Sequence, residues 1–188
     1  MAHRAGLDKA TVIEEAAQLI NEEGLEQLSL GHLAERLEVR IPSLYNHVAG
    51  LPGLKRDLAV YCLRELLERL TRAVIGKARE EAIFGFADAY RIYAREAPGH
   101  YAFTVQAPAP GDQEWQALAR QNVEIAQAIL APYRLSEEET IHAIRGLRSL
   151  VQGFVSLEMA GGFGIPVDPG ASFRWLIKLF ITGLEKRS

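Results

Sequence analysis

Apolar residues recur at three- and four-residue intervals along most of the chain, which is the spacing of helices with one buried face. Glycine and proline separate the periodic stretches: Gly24 follows the first, Pro98 and Gly99 stop a later one, and a loop of sequence APAPGD comes next. No strand-like alternation of useful length, internal repeat or low-complexity segment interrupts this pattern. The sequence therefore predicts an all-α protein of about nine helices.

Two short periodic stretches follow one another between Leu28 and Leu58. Ser29 is a good N-cap for the first of them, since its hydroxyl can accept from a free amide at the helix start. Glu38 and Val39 break the period, and Pro42 fits only in the first turn of the next helix. Such short helices, joined by so few residues, must pack at a steep angle, as in a helix-turn-helix whose second helix enters a major groove. The apolar positions are Leu30, Leu33, Ala34 and Leu37, then Ile41, Leu44, Tyr45 and Val48.

The second short helix is polar, and its side chains suit phosphates and base edges. From Arg36 to Arg56 there are four Arg or Lys residues against the single Glu38, which predicts a focused positive surface on a nearly neutral domain. Arg40 is the candidate for reading guanine, while Ser43 and Asn46 could contact bases or phosphates. The alternative is an ordinary helical hairpin inside a bundle. The candidate DNA contacts are Ser29, Arg40, Pro42, Ser43, Tyr45, Asn46, His47, Lys55 and Arg56.

Asp8 to about Leu70 resembles the N-terminal domain of the TetR/AcrR family of bacterial transcriptional regulators. The resemblance rests on apolar and small residues of three helices and on the run LYNHV, in which Val48 replaces the usual aromatic residue. It implies that Tyr45 and His47 contact the DNA backbone. The family's usual phosphate-contacting lysine is Leu51 here, and Lys55 and Arg56 are candidates to replace it. The matching residues are Ile13, Ala16, Ala17, Ile20 and Gly24; Ser29, Leu33, Ala34 and Leu37; and Pro42, Ser43, Leu44, Tyr45, His47 and Val48.

The last two predicted helices carry apolar faces, and Gly146 and Gly153 lie seven residues apart on one side of the first. Such a surface suits a two-fold four-helix interface, which the family resemblance also implies. A dimer would place two recognition helices about 34 Å apart, as a palindromic operator requires. The alternative is that these residues form intramolecular core. The interface candidates are Leu147, Leu150, Phe154, Leu157, Phe173, Ile177, Phe180, Ile181 and Leu184.

Many aromatic residues fall in the central helices, and they could form either a solid core or a ligand cavity. The family resemblance implies a small apolar or amphipathic effector. Gln152–Gly164 resembles the C-terminal domain of a family subset called the WHG type, although the usual histidine is Gln152 here. Glu158 and His142 could be polar anchors in a pocket or satisfied groups near the interface. The candidate pocket residues are Phe86, Tyr90, Tyr93, Trp115, Phe154 and Glu158.

Other classes of protein find little support in the composition, which is 48% hydrophobic and 24% charged with a net charge of −3. Cys62 is the only cysteine, so no internal disulfide is possible, and a core position is expected for it. No apolar run reaches the ~20 residues of a membrane span, and no signal peptide is recognised, so a cytoplasmic protein without a membrane partner is expected. The histidines lack metal-ligand spacing, and neither a cofactor motif nor a catalytic arrangement is found, so no metal, cofactor or enzymatic activity is expected.

The resulting hypothesis has three parts. Residues 1–50 form the helix-turn-helix domain, residues 51–75 a linking fourth helix, and residues 76–188 an effector-binding and dimerisation domain. The expected function is DNA-binding transcriptional regulation by a homodimer. The resemblance implies a repressor, released from a palindromic operator by a small-molecule effector. The rival hypothesis is a helical protein-interaction adaptor or ligand-binding module without DNA binding. That hypothesis does not explain the polar second helix or the excess of cations from Arg36 to Arg56.

Overall fold

The computed structural model describes residues 7–187, which contain nine α-helices, two short 3-10 turns and no strand. The all-α prediction is therefore confirmed. The 3-10 turns are Leu25–Gln27 and Ala131–Tyr133. The helices are α1 Lys9–Glu23, α2 Leu30–Arg36, α3 Ile41–Leu44, α4 Gly50–Val74, α5 Arg79–Glu96, α6 Pro98–Thr104, α7 Gln113–Leu130, α8 Glu137–Met159 and α9 Pro169–Glu185.

The chain folds into two compact units. The first contains the chain up to Glu65 together with Ala97–Trp115, and the second contains Leu66–Glu96 together with the chain from Gln116 onwards. Helix α4 belongs to the first unit in its N-terminal part and to the second in its C-terminal part. The first unit also includes α6, which the sequence-based division had assigned to the C-terminal domain.

Helix α1 organises the first unit. Asp8 caps it by accepting from the Thr11 amide at 2.8 Å, and Gly24 ends it with a positive φ of 95°. Both agree with the local rules for helix ends. The helix packs against α2 and α6 with a fully buried face. That face consists of Val12, Ala16, Ala17, Leu19 and Ile20.

Helix α6 lies close against α1 because Gly99 has no side chain. A Cβ atom at Gly99 would lie only 2.1 Å from the carbonyl oxygen of Ile20. The ring of His100 then bridges two elements, with Nε2 3.0 Å from the Ala17 carbonyl oxygen and Nδ1 2.9 Å from Glu65 Oε2. Helix α5 ends at Glu96, just before Pro98 and Gly99, as predicted, and Pro98 itself begins α6, because proline is accepted in the first turn of a helix.

The second unit packs α5, α8 and α9 against one another. Helix α8 begins with a capping box: Ser136 Oγ accepts from the Glu139 amide at 3.3 Å, and Glu139 Oε2 accepts from the Ser136 amide at 3.0 Å. Helix α9 begins at Pro169, because Asp168 caps it by accepting from the amides of Gly170 and Ala171.

Cys62 is buried in α4, as expected, and burial raises the pKa of its thiol. Among residues 7–187, no helix combines the length and apolar character that a membrane crossing requires.

Candidate nucleic-acid interface and ligand cleft

The turn between α2 and α3 brings the two short helices into contact. Ser29 caps α2 by accepting from the His32 amide at 3.1 Å, so its hydroxyl oxygen already has a structural partner. Glu38 reverses the chain in the left-handed region at φ 53°, and the Val39 amide donates to the Ala34 carbonyl at 2.9 Å. Helix α3 is a single turn, which packs on α2 through the fully buried Leu44. The two helices thus form a helix-turn-helix.

The opposite side of α3 faces solvent. Arg40, Pro42 and Asn46 are exposed, and Tyr45 is 60% exposed, whereas Ser43 and His47 are half-buried. Tyr45 falls within the apolar spacing of the sequence but is not buried, because α3 is a single turn in which only Leu44 is buried. Of the predicted DNA contacts on α3 and its flanks, Arg40, Pro42, Tyr45 and Asn46 are thus the most accessible.

Ile41 also belongs to this exposed surface, although its apolar spacing predicted a buried position. Its side chain is 44% exposed at the first position of α3, beside Arg40 and Pro42. The available sequence signal was its place between Arg40 and Pro42, at the start of the polar helix.

Arg36 is held within the first unit by acidic side chains. Its Nε lies 2.7 Å from Glu15 Oε1, and its Nη1 lies 2.8 Å from Glu22 and 3.0 Å from Glu23. These hydrogen bonds raise the pKa of its guanidinium. The charge of Arg36 is thus balanced locally and adds little to a positive surface.

Arg56 is held more firmly still. It donates from Nε and Nη2 to the two carboxylate oxygens of Asp112, each at 2.6 Å, and Nη1 donates to Asp57 Oδ1 at 3.2 Å. Nη2 also lies 2.8 Å from Glu114 Oε2. Hydrogen bonds from Arg56 lower the pKa of Asp112 from 3.8 to about 2. We refer to the bidentate Arg56–Asp112 pair as the Arg56 clamp.

The predicted positive surface is therefore narrower than the sequence count suggested. Of the four cations between Arg36 and Arg56, only Arg40 and Lys55 have no carboxylate partner within the described residues 7–187. Both side chains are exposed. Because the partners of Arg36 and Arg56 come from distant parts of the chain, counting neighbours along the sequence could not reveal the neutralisation.

A narrow cleft with a cavity volume of only about 20 Å³ lies in the second unit, between side chains of α5, α7 and α8. It contains a buried polar pair: the Tyr90 hydroxyl oxygen lies 2.9 Å from Asn122 Oδ1 and 2.6 Å from Asn122 Nδ2. Burial raises the pKa of Tyr90. The lining residues are Phe86, Tyr90, Asn122, Val123, Ala126, Ile144, Leu147 and Arg148.

Only Phe86 and Tyr90 of the six candidate pocket residues line this cleft. Tyr93 is fully buried, with the Arg69 guanidinium 5.0 Å from its ring centre. Trp115 is buried in the first unit, in the first turn of α7. Phe154 packs against Phe163 and Phe173, with ring centres 4.7 and 5.0 Å apart.

Glu158 is likewise not at the cleft, because it accepts from Arg91 through both oxygens at 2.6 and 2.9 Å. Hydrogen bonds from Arg91 lower the pKa of Glu158. Asn122, by contrast, lines the cleft but was not predicted from the sequence. It could have been found as a polar side chain among the apolar positions of an amphipathic helix.

The candidate interface residues divide into two groups. Five of the nine are buried within their own chain and cannot supply interface surface, so the intramolecular alternative holds for them: Leu147, Phe173, Ile177, Ile181 and Leu184. Leu157 is 54% exposed, while Leu150, Phe154 and Phe180 are half-buried. The exposed apolar surface also includes Trp175 at 66% and Leu179 at 48% on α9, neither of which was predicted.

The helix-turn-helix with an exposed polar recognition helix, followed by an all-helical unit that contains a cleft, defines the class of one-component DNA-binding regulators. Residues 83–180 match the sequence family described as "Tetracyclin repressor-like, C-terminal domain". The chain belongs to this tetracycline repressor-like (TetR) family and is a DNA-binding transcriptional regulator.

Relatives along the full length of the chain agree with this assignment. The HTH-type transcriptional regulator Rv0681 of Mycobacterium tuberculosis is 33% identical over 189 residues, which cover 100% of this chain and 86% of that protein. The HTH-type regulator YobS of Bacillus subtilis is 33% identical, with 98% and 96% covered. A TetR variant from Acinetobacter baumannii, solved in complex with minocycline, is 27% identical, with a TM-score of 0.73 over 97% of this chain and 99% of that one.

Proposed function

We propose that this regulator is a cytoplasmic homodimeric repressor, which binds a palindromic operator through α3 and releases it when a small molecule occupies the cleft. The observation that carries the proposal is the exposed face of α3, where Arg40 has no carboxylate partner in the described chain and Leu44 anchors the helix. Regulators of this family bind DNA operators, dimerise and bind small-molecule effectors, and release by an effector is typical of them.

Three side chains of α3 and its flanks are suited to reading bases. The Arg40 guanidinium can donate two hydrogen bonds to guanine O6 and N7, and the Asn46 amide can pair with adenine N6 and N7. The exposed Ile41 provides an apolar surface for the methyl group of thymine. Together they would give the recognition helix both polar and apolar sequence preferences.

Other residues are assigned to the phosphate backbone. Lys55, exposed on the second turn of α4, replaces the lysine missing at Leu51. Tyr45 and His47 follow the family in contacting phosphates, and Ser43 can do so through its hydroxyl. These contacts carry little sequence information but set the position of α3 and the salt dependence of binding.

The dimer is assigned to a partly exposed stripe on α8 and α9 of the second unit. On α8 the stripe alternates glycine and leucine at helical spacing, and on α9 it continues through Trp175, Leu179 and Gly183. Glycine permits close approach of helices, and two such helix pairs can form a four-helix bundle about a two-fold axis. The α8 members are Gly146, Leu150, Gly153 and Leu157.

Helix α7 begins in the first unit, which contains the helix-turn-helix, and continues into the second unit, where it lines the cleft. Asn122 of α7 lies in the cleft, and α7 begins beside Asp112, which both accepts from the Trp115 amide at 3.1 Å and holds Arg56 of α4. A ligand that displaces α7 would then strain the Arg56 clamp. Because both ligands bias one equilibrium, effector and operator must weaken each other's binding by the same factor.

A mobility-shift titration with DNA from upstream of the protein's own gene tests the proposal. We expect a salt-sensitive complex, and we expect Arg40→Ala to weaken it at least about thirtyfold, because each bidentate base contact contributes about 1–3 kcal/mol and a dimer loses two of them. Tyr45→Phe separates the hydroxyl contribution from that of the ring. Arg120→Ala, which removes an exposed arginine of α7, is the control and should bind normally. If Arg40→Ala and Tyr45→Ala bound like the parent, the recognition assignment would be wrong.

A further inference from the structure

We propose that a groove between α1 and α4 binds a small organic ammonium ion with an apolar body. The groove is lined by residues of these two helices and by Glu114 at the start of α7, all of which belong to the first unit. It is therefore a different site from the cleft of the second unit. The inference requires neither an operator nor an effector in that cleft, so it stands apart from the proposed function.

The groove has room for a small molecule. Its volume is about 330 Å³, whereas that of the cleft in the second unit is about 20 Å³. Pockets that bind small molecules measure about 300–1,000 Å³, so the groove lies at the lower end of that range. A single ring or a short alkyl chain fits this space.

The cations that line the groove are already paired with carboxylates. Lys9 Nζ lies 2.8 Å from Asp57 Oδ2, and Arg64 forms an ion pair with Glu114. The third cation, Arg56, is held in the Arg56 clamp by Asp112. An anionic ligand would have to displace one of these carboxylates, which disfavours an anion as the occupant.

Glu14 is the carboxylate of the lining that has no cation partner among residues 7–187. Because Asp57, Glu114 and Asp112 match the three lining cations one to one, the charge of Glu14 is in excess. A ligand that carries one positive charge would balance it. This excess decides the sign of the ligand charge, and an ammonium group also supplies N–H donors to the carboxylate.

Tyr61 provides the second polar contact. It is half-buried in the lining, and its hydroxyl makes no hydrogen bond within the part of the chain that the structure describes. Burial, and then the negative charges of Glu65 and Glu14, raise the pKa of Tyr61, so its hydroxyl lies in a negative electrostatic environment. An edge contact with the ring of His100, at 6.1 Å between ring centres, fixes the tyrosine ring. The hydroxyl oxygen can then accept an N–H of the ammonium.

Apolar side chains set the body of the ligand. Val60 is 4% exposed and lines the groove from α4, while Ile13 and Ala10 line it from α1. A ring or alkyl chain lying over these side chains would remove apolar surface from water, which favours binding. The expected ligand is therefore a primary amine, protonated at neutral pH, that carries one ring or one short chain.

Isothermal titration calorimetry with the full-length protein, without DNA, tests this directly. Phenethylammonium and hexylammonium chloride are the probes, and the alcohols and carboxylates with the same ring or chain are their neutral and anionic counterparts. We expect at least one ammonium ion to bind with a millimolar or lower Kd. Its alcohol should bind about threefold to fivefold more weakly and its carboxylate more weakly still, because an exposed ion pair contributes modestly and the wrong charge is repelled.

Two variants locate the site, and a third is the control. Glu14→Gln should weaken ammonium binding about threefold to fivefold and leave alcohol binding unchanged, because only the charge is removed. Tyr61→Phe should weaken ammonium binding through the loss of the hydroxyl acceptor alone. Glu35→Gln removes an exposed carboxylate of α2 that likewise has no cation partner within residues 7–187 but does not line the groove, and it should bind like the parent.

Failure to bind either ammonium ion would overturn the proposal, and so would an equal loss in Glu14→Gln and Glu35→Gln or binding of the carboxylates as tight as that of the ammonium ions. Binding of the ring form alone, or of the chain form alone, would support it and identify the apolar body. The mobility shift of the ligand-free protein is independent of this outcome. A protein that binds its upstream DNA but neither ammonium ion would retain the proposed regulatory function and lose only this site.

Discussion

The adjacent cations Lys55 and Arg56 should respond differently when each is replaced by glutamine. Lys55 is exposed and has no carboxylate partner in residues 7–187, so its charge is available to a phosphate. Arg56 is 33% exposed in its side chain, and Asp57, Asp112 and Glu114 already neutralise it. Lys55→Gln should therefore change the salt dependence of DNA binding, whereas Arg56→Gln should change the stability of the fold.

The expected magnitude follows from counterion release. Each phosphate contact contributes about −0.9 to the slope of log K against log salt, and a dimer carries two copies, so Lys55→Gln should make the slope shallower by about 1.8. When salt is raised fourfold, from 50 to 200 mM, the loss of affinity for DNA should therefore be about twelvefold smaller for Lys55→Gln than for the parent. Arg56→Gln should leave the slope unchanged, because its charge is not available to a phosphate.

The assay is fluorescence anisotropy of a labelled operator duplex, titrated with each variant at several KCl concentrations. A thermal melt accompanies each titration. Arg56→Gln should melt several degrees below the parent, because Asp112 and the largely buried Asp57 lose a partner, whereas Lys55→Gln should melt with the parent. An equal change of slope in the two variants would refute the neutralisation of Arg56. An unchanged slope for Lys55→Gln would exclude Lys55 from the phosphate contacts.

Three further predictions concern the fold, the dimer and the clamp. Gly99→Ala should lower stability by about 1–3 kcal/mol and Tm by about 3 to 10 °C, because the new Cβ must move away from the Ile20 carbonyl oxygen 2.1 Å away. Trp175→Glu should weaken dimerisation about tenfold or more in sedimentation equilibrium, because a charge would replace a 66% exposed apolar side chain at the proposed interface. Asp112→Asn should destabilise the fold at pH 7. The folded-state pKa of Asp112 is depressed from 3.8 to about 2, so the advantage of the parent is complete above pH 4 and disappears as the pH falls towards 2.

Each of these has a control and a contradicting result. Gly31→Ala, whose Cβ would meet only ordinary contacts near 4 Å in α2, should leave stability unchanged or raise it; a Gly99→Ala protein as stable as the parent would contradict the close α1–α6 packing. Ile92→Glu, on an exposed position of α5, should dimerise normally, and a fully dimeric Trp175→Glu protein would exclude the proposed stripe. A stability difference for Asp112→Asn that stayed constant from pH 7 to pH 2 would contradict the ion-pair origin of the clamp.

Features that depend on residues three or four apart were predictable from the sequence. The cap by Ser29 is present as expected, and the Asp8 cap and the capping box from Ser136 to Glu139 follow the same rule, because each is made by a side chain and an amide within one helical turn. The helix-turn-helix followed from the same local information, since the break at Glu38 and the proline at position 42 separate two short helices.

Features that depend on distant contacts were not predictable in this way. The neutralisation of Arg56 joins residues 56 positions apart, and the Tyr90–Asn122 pair joins residues 32 apart. Helical periodicity indicates which residues avoid water, but it does not say whether a neighbouring helix of the same chain covers them. For this reason Leu147 and Phe173 proved to be intramolecular core, whereas Trp175, predicted for no role, is exposed.

The sequence by itself thus determined the class of fold, the helix ends and the position of the recognition helix, because these arise from interactions within a turn or two of the chain. The tertiary structure alone decided which cations remain available to DNA, which side chains line the cleft and which apolar residues remain uncovered. Those properties depend on how helices far apart in sequence pack together, and burial and ion pairing are set only at that stage.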